Sequence, residues 1–318
     1  MKDSLPAPVF VPSATWAVGR TPLVKIGKIL PPDHADVFVK LEALNPTGSY
    51  KDRMALAMIE EAEKRGELRP GMTVVEYTGG STGSSLAFVC AAKGYTLKIV
   101  SSDAFAAEKL ATMRAFGAEL ELIPSTGGQI TPDLVPRMME RAKELAAEDD
   151  TYATDQFNNY DSLVGYRGIG RELLDQLDRP IDVFCGAVGT AGMLMGVSGV
   201  LRGARSETRI VAFEPASSAV ISTGEAGAHH VEGIGVGFVP PLLDCALYDE
   251  ARGIDEQDGR AMARRLAREE GIFAGTSSGL NVTGAVRLAR ELGPGKTVVT
   301  VACDSGLKYL AGDLYQPD

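Results

Sequence analysis

From about Val37 onward, short β-branched runs alternate with Ala-rich amphipathic stretches, the pattern of a parallel sheet flanked by helices. The runs predict strands over 37–41, 73–77, 96–101, 119–123, 183–185, 209–214 and 297–302. The intervening stretches predict helices over 52–65, 84–93, 106–116, 132–148, 164–177, 192–202, 255–270 and 280–292. The fold class is α/β. The acidic, polar stretch 148–151 reads as a crossing between two α/β lobes, and no internal repeat or low-complexity tract interrupts the pattern.

One segment carries chemistry as well as pattern: Asn45-Pro46-Thr47-Gly48-Ser49-Tyr50-Lys51-Asp52-Arg53. The Pro and Gly describe a turn, and Ser49 with Asp52 has the S-x-x-D spacing of a capping box opening a helix through Met54, Leu56, Ala57 and Ile59. Lys51 is thereby expected beside free backbone N–H groups at a helix start. A cation there is disfavoured by roughly 0.3–1 kcal/mol, and the same field lowers an amine's pKa. A Schiff-base lysine needs such an amine, neutral and nucleophilic. A surface lysine that happens to follow a cap fits this segment equally well.

Composition narrows the partners. The chain has 318 residues, 45% hydrophobic and 23% charged, enough for a sizeable core and about two domains. A net charge of -10, a pI near 5.0 and no dense Lys/Arg run argue against nucleic acid or an anionic membrane surface and for small-molecule chemistry. Cys90, Cys185, Cys245 and Cys303 are scattered and read as buried thiols of a reducing compartment. The first ten residues lack a basic segment followed by an apolar one, and no apolar run approaches bilayer length, so a cytoplasmic protein is expected.

Three glycine-rich loops lie where strands hand over to helices, and free N–H groups there make anion sites. Thr78-Gly79-Gly80-Ser81-Thr82-Gly83 offers backbone access and hydroxyl donors without positive charge, which suits a carboxylate. Gly189-Thr190-Ala191-Gly192 is short enough to wrap one phosphate. Gly275-Thr276-Ser277-Ser278-Gly279 precedes the last predicted helix. Each loop alone also reads as an ordinary βα turn. Other motifs fail on spacing. Gly293-Pro294-Gly295-Lys296-Thr297 puts Arg290 where a P-loop needs its first Gly, and Gly233-Ile234-Gly235-Val236-Gly237 runs into Pro240 instead of a helix, which leaves a nicotinamide cofactor unsupported. The only histidines, His34, His229 and His230, do not make a metal site, and His229 and His230 read as surface residues.

Taken in order, the segments closely resemble the cysteine synthase and cystathionine β-synthase family of fold type II pyridoxal phosphate enzymes, over nearly the whole chain. The resemblance begins at Gly19-Arg20-Thr21-Pro22-Leu23-Val24 and passes through Lys40-Leu41-Glu42, Asn45-Pro46 and Ser49 to Arg53. It continues with Ala92-Lys93-Gly94-Tyr95, Gly117-Ala118-Glu119, Gln156-Phe157 and Gly233-Ile234-Gly235, and ends at Gly275 to Gly279. It implies two lobes, each a mostly parallel sheet flanked by helices, as in the tryptophan synthase β chain. A larger cofactor-binding domain would comprise 1–41 and 151–318, and a smaller mobile substrate-binding domain 42–150.

The resemblance also assigns roles. Lys51 would hold pyridoxal 5'-phosphate as a Schiff base and take the substrate Cα proton. Gly189, Thr190, Ala191, Gly192 and Met193 would hold the cofactor phosphate, Ser81 would face the ring hydroxyl, and Ser277 would hydrogen-bond the ring nitrogen. A neutral hydroxyl at Ser277 leaves that nitrogen unprotonated, which favours β-elimination over transamination. Thr78, Gly79, Thr82 and Gln156 would bind the substrate α-carboxylate, with Gly233 in a segment that closes on it. The implied reaction is β-replacement on serine, O-acetylserine or O-phosphoserine through an aminoacrylate, with a small nucleophile, in a homodimer.

Departures from the family pattern concern the substrate more than the cofactor. Gly79 and Ser81 stand where the family's T-S-G-N-T-G has Ser and Asn. Ala191 and Met193 replace a Gly and the final Thr of G-T-G-G-T, with loss of a hydroxyl donor worth about 0.5–1.5 kcal/mol. Asn158-Asn159-Tyr160-Asp161 replaces the family's Asn-Pro-Ala-Asn. Three alternatives stay open: a β-eliminating serine or threonine dehydratase, a synthase of a non-protein amino acid, and a catalytically silent binding protein on this scaffold, against which the retention of Lys51 argues.

Overall fold

The computed structural model describes residues 10–129, 131, 133–204 and 207–316. Among the described residues ten strands form two sheets. The larger runs β1 (Leu23–Ile26), β2 (Asp36–Leu41), β10 (Thr297–Ala302), β7 (Val183–Ala187), β8 (Arg209–Pro215), β9 (Glu250–Ile254), all parallel except β1 against β2. The smaller runs β5 (Glu119–Ile123), β4 (Thr96–Ser102), β3 (Thr73–Tyr77), β6 (Thr151–Ala153), all parallel. Every residue of β7 and β10 is buried, as continuous apolar runs in a doubly covered parallel sheet require.

The helices are α1 (Lys51–Arg65), α2 (Ser81–Lys93), α3 (Ala107–Ala115), α4 (Leu134–Ala146), α5 (Asp161–Gln176), α6 (Gly192–Ala204), α7 (Glu256–Arg265) and α8 (Thr276–Leu292). In α4 the buried positions Leu134, Met138, Ala142 and Leu145 fall on one stripe and pack with Val75 and Val100 of the smaller sheet. Pro132, where the sequence starts this helix, lies outside the described residues. A π-helical turn, Leu266–Glu270, extends α7 to the predicted end.

The differences from expectation have local causes. Strands β1, β6 and β9 are short or lie at a sheet edge; β1 exposes Lys25 and β9 carries Glu250 and Arg252, so none shows a strong apolar run. Helices α2 and α8 begin at Ser81 and Thr276, a turn earlier than their apolar periodicity, because the polar glycine loops themselves supply the first turn. The stretch 148–151 leads into β6, which pairs Thr73–Thr151, so the chain leaves the smaller sheet only after residue 153. Of the four thiols, Cys245 is exposed and the other three are buried.

Candidate active site

Lys51 is the first residue of α1. The first half of the box is altered: Tyr50, not Ser49, is the N-cap residue and makes no side-chain cap bond, while Ser49 Oγ accepts the Lys51 N–H at 3.2 Å instead of that of Asp52. The other half of the box does not form: the Asp52 carboxylate turns to Thr47, accepting its N–H at 2.8 Å and its hydroxyl at 2.5 Å. The preceding residue is tied down by Tyr50 N–H donating to the Cys303 carbonyl at 2.9 Å. Two residues on, Arg53 forks onto Glu42 and Glu172 at 2.7–2.8 Å, anchoring the helix start through buried, charge-assisted bonds. Lys51 is only 7% exposed. Burial pulls its ammonium down from 10.5 to about 8, against the attraction of Glu76 nearby. The lysine is therefore held where its neutral form is accessible near neutral pH.

Lys51 lines one small pocket with Tyr50, Tyr166, Ala187, Gly189, Thr190, Ala191, Gly192, Met193 and Leu194. The loop Gly189–Met193 leaves the C-terminal end of β7 and opens α6, where the free N–H groups of a helix start converge. Ala191 adopts φ +69°, the left-handed conformation that explains why glycine is the usual residue there. A methyl group at Gly189 would strike the Gly233 carbonyl at 2.3 Å, so that position admits only glycine. Asn281 of α8 fixes the strand end: its Oδ1 accepts Ala187 N–H at 2.7 Å while its Nδ2 donates to the Val301 carbonyl at 2.9 Å. Ser162 Oγ is fully buried and has no hydrogen-bond partner among the described residues, and it would lie 3.1 Å from a methyl group placed on Gly192. A buried orphan hydroxyl beside a glycine cradle at a helix start fits an oxyanion such as a phosphate, and the residues present fit pyridoxal 5'-phosphate.

Ser277 stands second in α8, 5% exposed, near the Cys303 thiol, which burial pushes up to about 12. Met193 does not replace the missing hydroxyl: its side chain covers Gly186, where an added methyl would meet its Cε at 2.7 Å. Gly233 presses on the Gly189 loop through its carbonyl, and Gly235 N–H donates to the Val188 carbonyl at 3.1 Å. His229 is not a bare surface residue: its Nε2 meets the Gly235 carbonyl at 2.7 Å.

The first loop splits between a turn and the start of α2. Thr82 donates to Gln156 Oε1 at 2.8 Å, which brings together two residues 74 positions apart. Thr78 Oγ1 accepts Gly80 N–H at 3.2 Å. The two departures here have visible partners. A Cβ at Gly79 would lie 2.2 Å from the Phe105 ring, so the ring fills the space of the family's serine. Ser81 Oγ accepts Lys308 Nζ at 3.2 Å, a contact to the opposite lobe. Burial lowers Lys308, which faces Asp304 and Asp52. Lys109 of α3 pairs with Glu232, the residue before Gly233, so one ion pair links α3 to the Gly233 segment on this side. Ser162, Asn281, Cys303, Glu76 and Lys308 had no sequence signal; each contributes through partners far away in the chain.

Three comparisons bear on the site. The family described as pyridoxal-phosphate dependent enzyme matches residues 15–304. A cysteine synthase of Staphylococcus aureus is 43% identical over 310 residues, 97% of this chain and 98% of that protein. Among solved structures, O-ureido-L-serine synthase superimposes with a TM-score of 0.89 at 38% identity, covering 97% of this chain and 96% of that one. A cysteine synthase from Entamoeba histolytica superimposes with a TM-score of 0.93 at 31% identity, covering 100% of this chain and 94% of that one.

Proposed function

The chain belongs to the family of pyridoxal-phosphate dependent enzymes, and from that membership we propose that it performs β-replacement on an O-activated serine, as a cysteine synthase does. The observation that carries this reading is a buried lysine, lowered to about 8, in one cavity with an oxyanion cradle, while residue 277 at the start of α8 is a serine with a neutral hydroxyl. When bound, the cofactor withdraws electrons from the substrate Cα, so that its proton becomes removable and a β-substituent can leave.

The chain's own residues do the rest. Lys51 Nζ accepts the Cα proton, and its lowered affinity lets it return the proton later in the cycle. Gly189 to Met193 and Ser162 bind the phosphate, and Ser277 orients the ring without a formal charge. Thr78, Gly79, Thr82 and Gln156 hold the substrate carboxylate, with Gly233 behind them. The lobe 42–150, counted with strand β6, is the substrate-binding lobe, and 1–41 with the remainder of 151–318 the cofactor lobe. A homodimer is supported by exposed apolar side chains at Trp16, Leu44, Leu307 and Leu310, and a cytoplasmic location by four free thiols.

A second reading, a synthase of a non-protein amino acid with another nucleophile, is favoured by Phe105 over Gly79 and Lys308 on Ser81. Purified holoenzyme given O-acetyl-L-serine and sulfide should form cysteine without releasing pyruvate. Pyruvate as the main product would refute β-replacement in favour of elimination. Amino-acid consumption without cysteine, restored by a different nucleophile, would favour the second reading.

A further inference from the structure

Glu76 is a fully buried carboxylate, 2% exposed, for which the proposed chemistry has no use. It lies on β3, two residues before the first glycine loop. Three donors surround it. Oε1 accepts Tyr77 N–H at 3.0 Å, and Oε2 accepts the Thr154 hydroxyl at 2.7 Å and Gln156 N–H at 3.1 Å. Among the described residues no ion pair reaches it; Lys51 faces it from α1, Asp155 from the turn after β6, and Tyr77 adjoins it on its own strand. Gln156 in turn accepts the Thr82 hydroxyl through Oε1 and reaches the Tyr77 carbonyl at 3.4 Å through Nε2. One carboxylate thus fastens the turn that carries Gln156 to the strand that leads into the loop of Thr78 and the helix start of Thr82.

We infer that Glu76 is a positioning residue that assembles the substrate carboxylate pocket from its two separate chain segments, and does so as a carboxylate. This rests on the proposed role of Thr78, Thr82 and Gln156. An all-donor environment specifies an acceptor-only group. Protonation puts a donor among donors and frees one of the three, so the Gln156 turn loosens. Burial raises Glu76 to about 7, with Asp155 acting in the same direction and the three hydrogen bonds against it. The pocket is therefore assembled above that pH and slackens below it.

The test uses holoenzyme. For wild type, KM for O-acetyl-L-serine should rise as pH falls through about 7. Glu76→Gln sets an amide NH2 against one of the donors, and kcat/KM should fall about tenfold, chiefly through KM, with the acid inflection gone. Wild-type KM with the inflection retained overturns the inference. Thr154→Val keeps the carboxylate and removes one donor, so the inflection should move to higher pH; an unmoved inflection overturns it even if Glu76→Gln fails to fold. Calorimetric dissociation constants for L-serine should follow the same order in all three proteins. Wild type that binds L-serine in this pH-dependent way but forms no cysteine would strike the functional reading alone.

Discussion

Replacing Lys51 by Met should abolish turnover and at the same time stabilise the cofactor-free protein. Burial lowers the folded-state ammonium from 10.5 to about 8. In the unfolded chain the ordinary value returns, so folding carries a penalty for every pH at which the unfolded lysine is charged. Below about pH 8 both states hold the proton and the penalty is complete. Between 8 and 10.5 the folded protein releases its proton first and the penalty fades; above 10.5 it is gone. At 1.36 kcal/mol per tenfold change in proton affinity, the penalty at pH 7 is about 3 kcal/mol. Met has similar length and no charge, so Lys51→Met should recover about 3 kcal/mol, a rise in Tm of about 6 °C. The assay is thermal or urea unfolding of the two cofactor-free proteins from pH 6 to 11, beside cysteine formation by the reconstituted enzymes. A Lys51→Met protein no more stable than wild type at pH 7, or a gain that does not shrink between pH 8 and 10.5, would refute the claim that burial is what lowers the amine.

Further outcomes follow from the other contacts. Ser162→Ala should weaken binding of pyridoxal phosphate by the cofactor-free protein about threefold to tenfold, since one hydroxyl donor is lost; unchanged affinity together with a gain in stability would mean that the orphan hydroxyl does not meet the phosphate. Ser277→Asp would keep a proton on the ring nitrogen and should slow β-replacement about tenfold or more in a stopped-flow assay, and an equal rate would remove the electronic role of Ser277. Gly79→Ser should destabilise the protein by about 1–3 kcal/mol because its Cβ falls on the Phe105 ring, and Phe105→Ala in the same chain should restore it. Additive effects of the two substitutions in a double-mutant cycle would show that the ring and residue 79 are not coupled.

What the sequence determined by itself is local. The runs of β2, β3, β4, β7, β8 and β10 could be read because a parallel strand covered on both faces must be largely apolar, and the helices because one stripe must face a sheet. Lys51 after a Pro-Gly turn and the glycine loops at strand ends were legible for the same reason: backbone conformation leaves a mark on neighbouring residues. Tertiary structure decided the rest. Lys51 is unusual less for its helix start than for its burial, which depends on Tyr166 and the Gly189–Met193 loop more than 100 residues away. Ser81 meets Lys308, Thr82 meets Gln156, and Ser162 reaches Gly192 only because strand order brings their lobes and helices together. Edge strands and long-range hydrogen bonds leave no periodic trace, since their partners are set by how the two sheets pack and not by spacing along the chain.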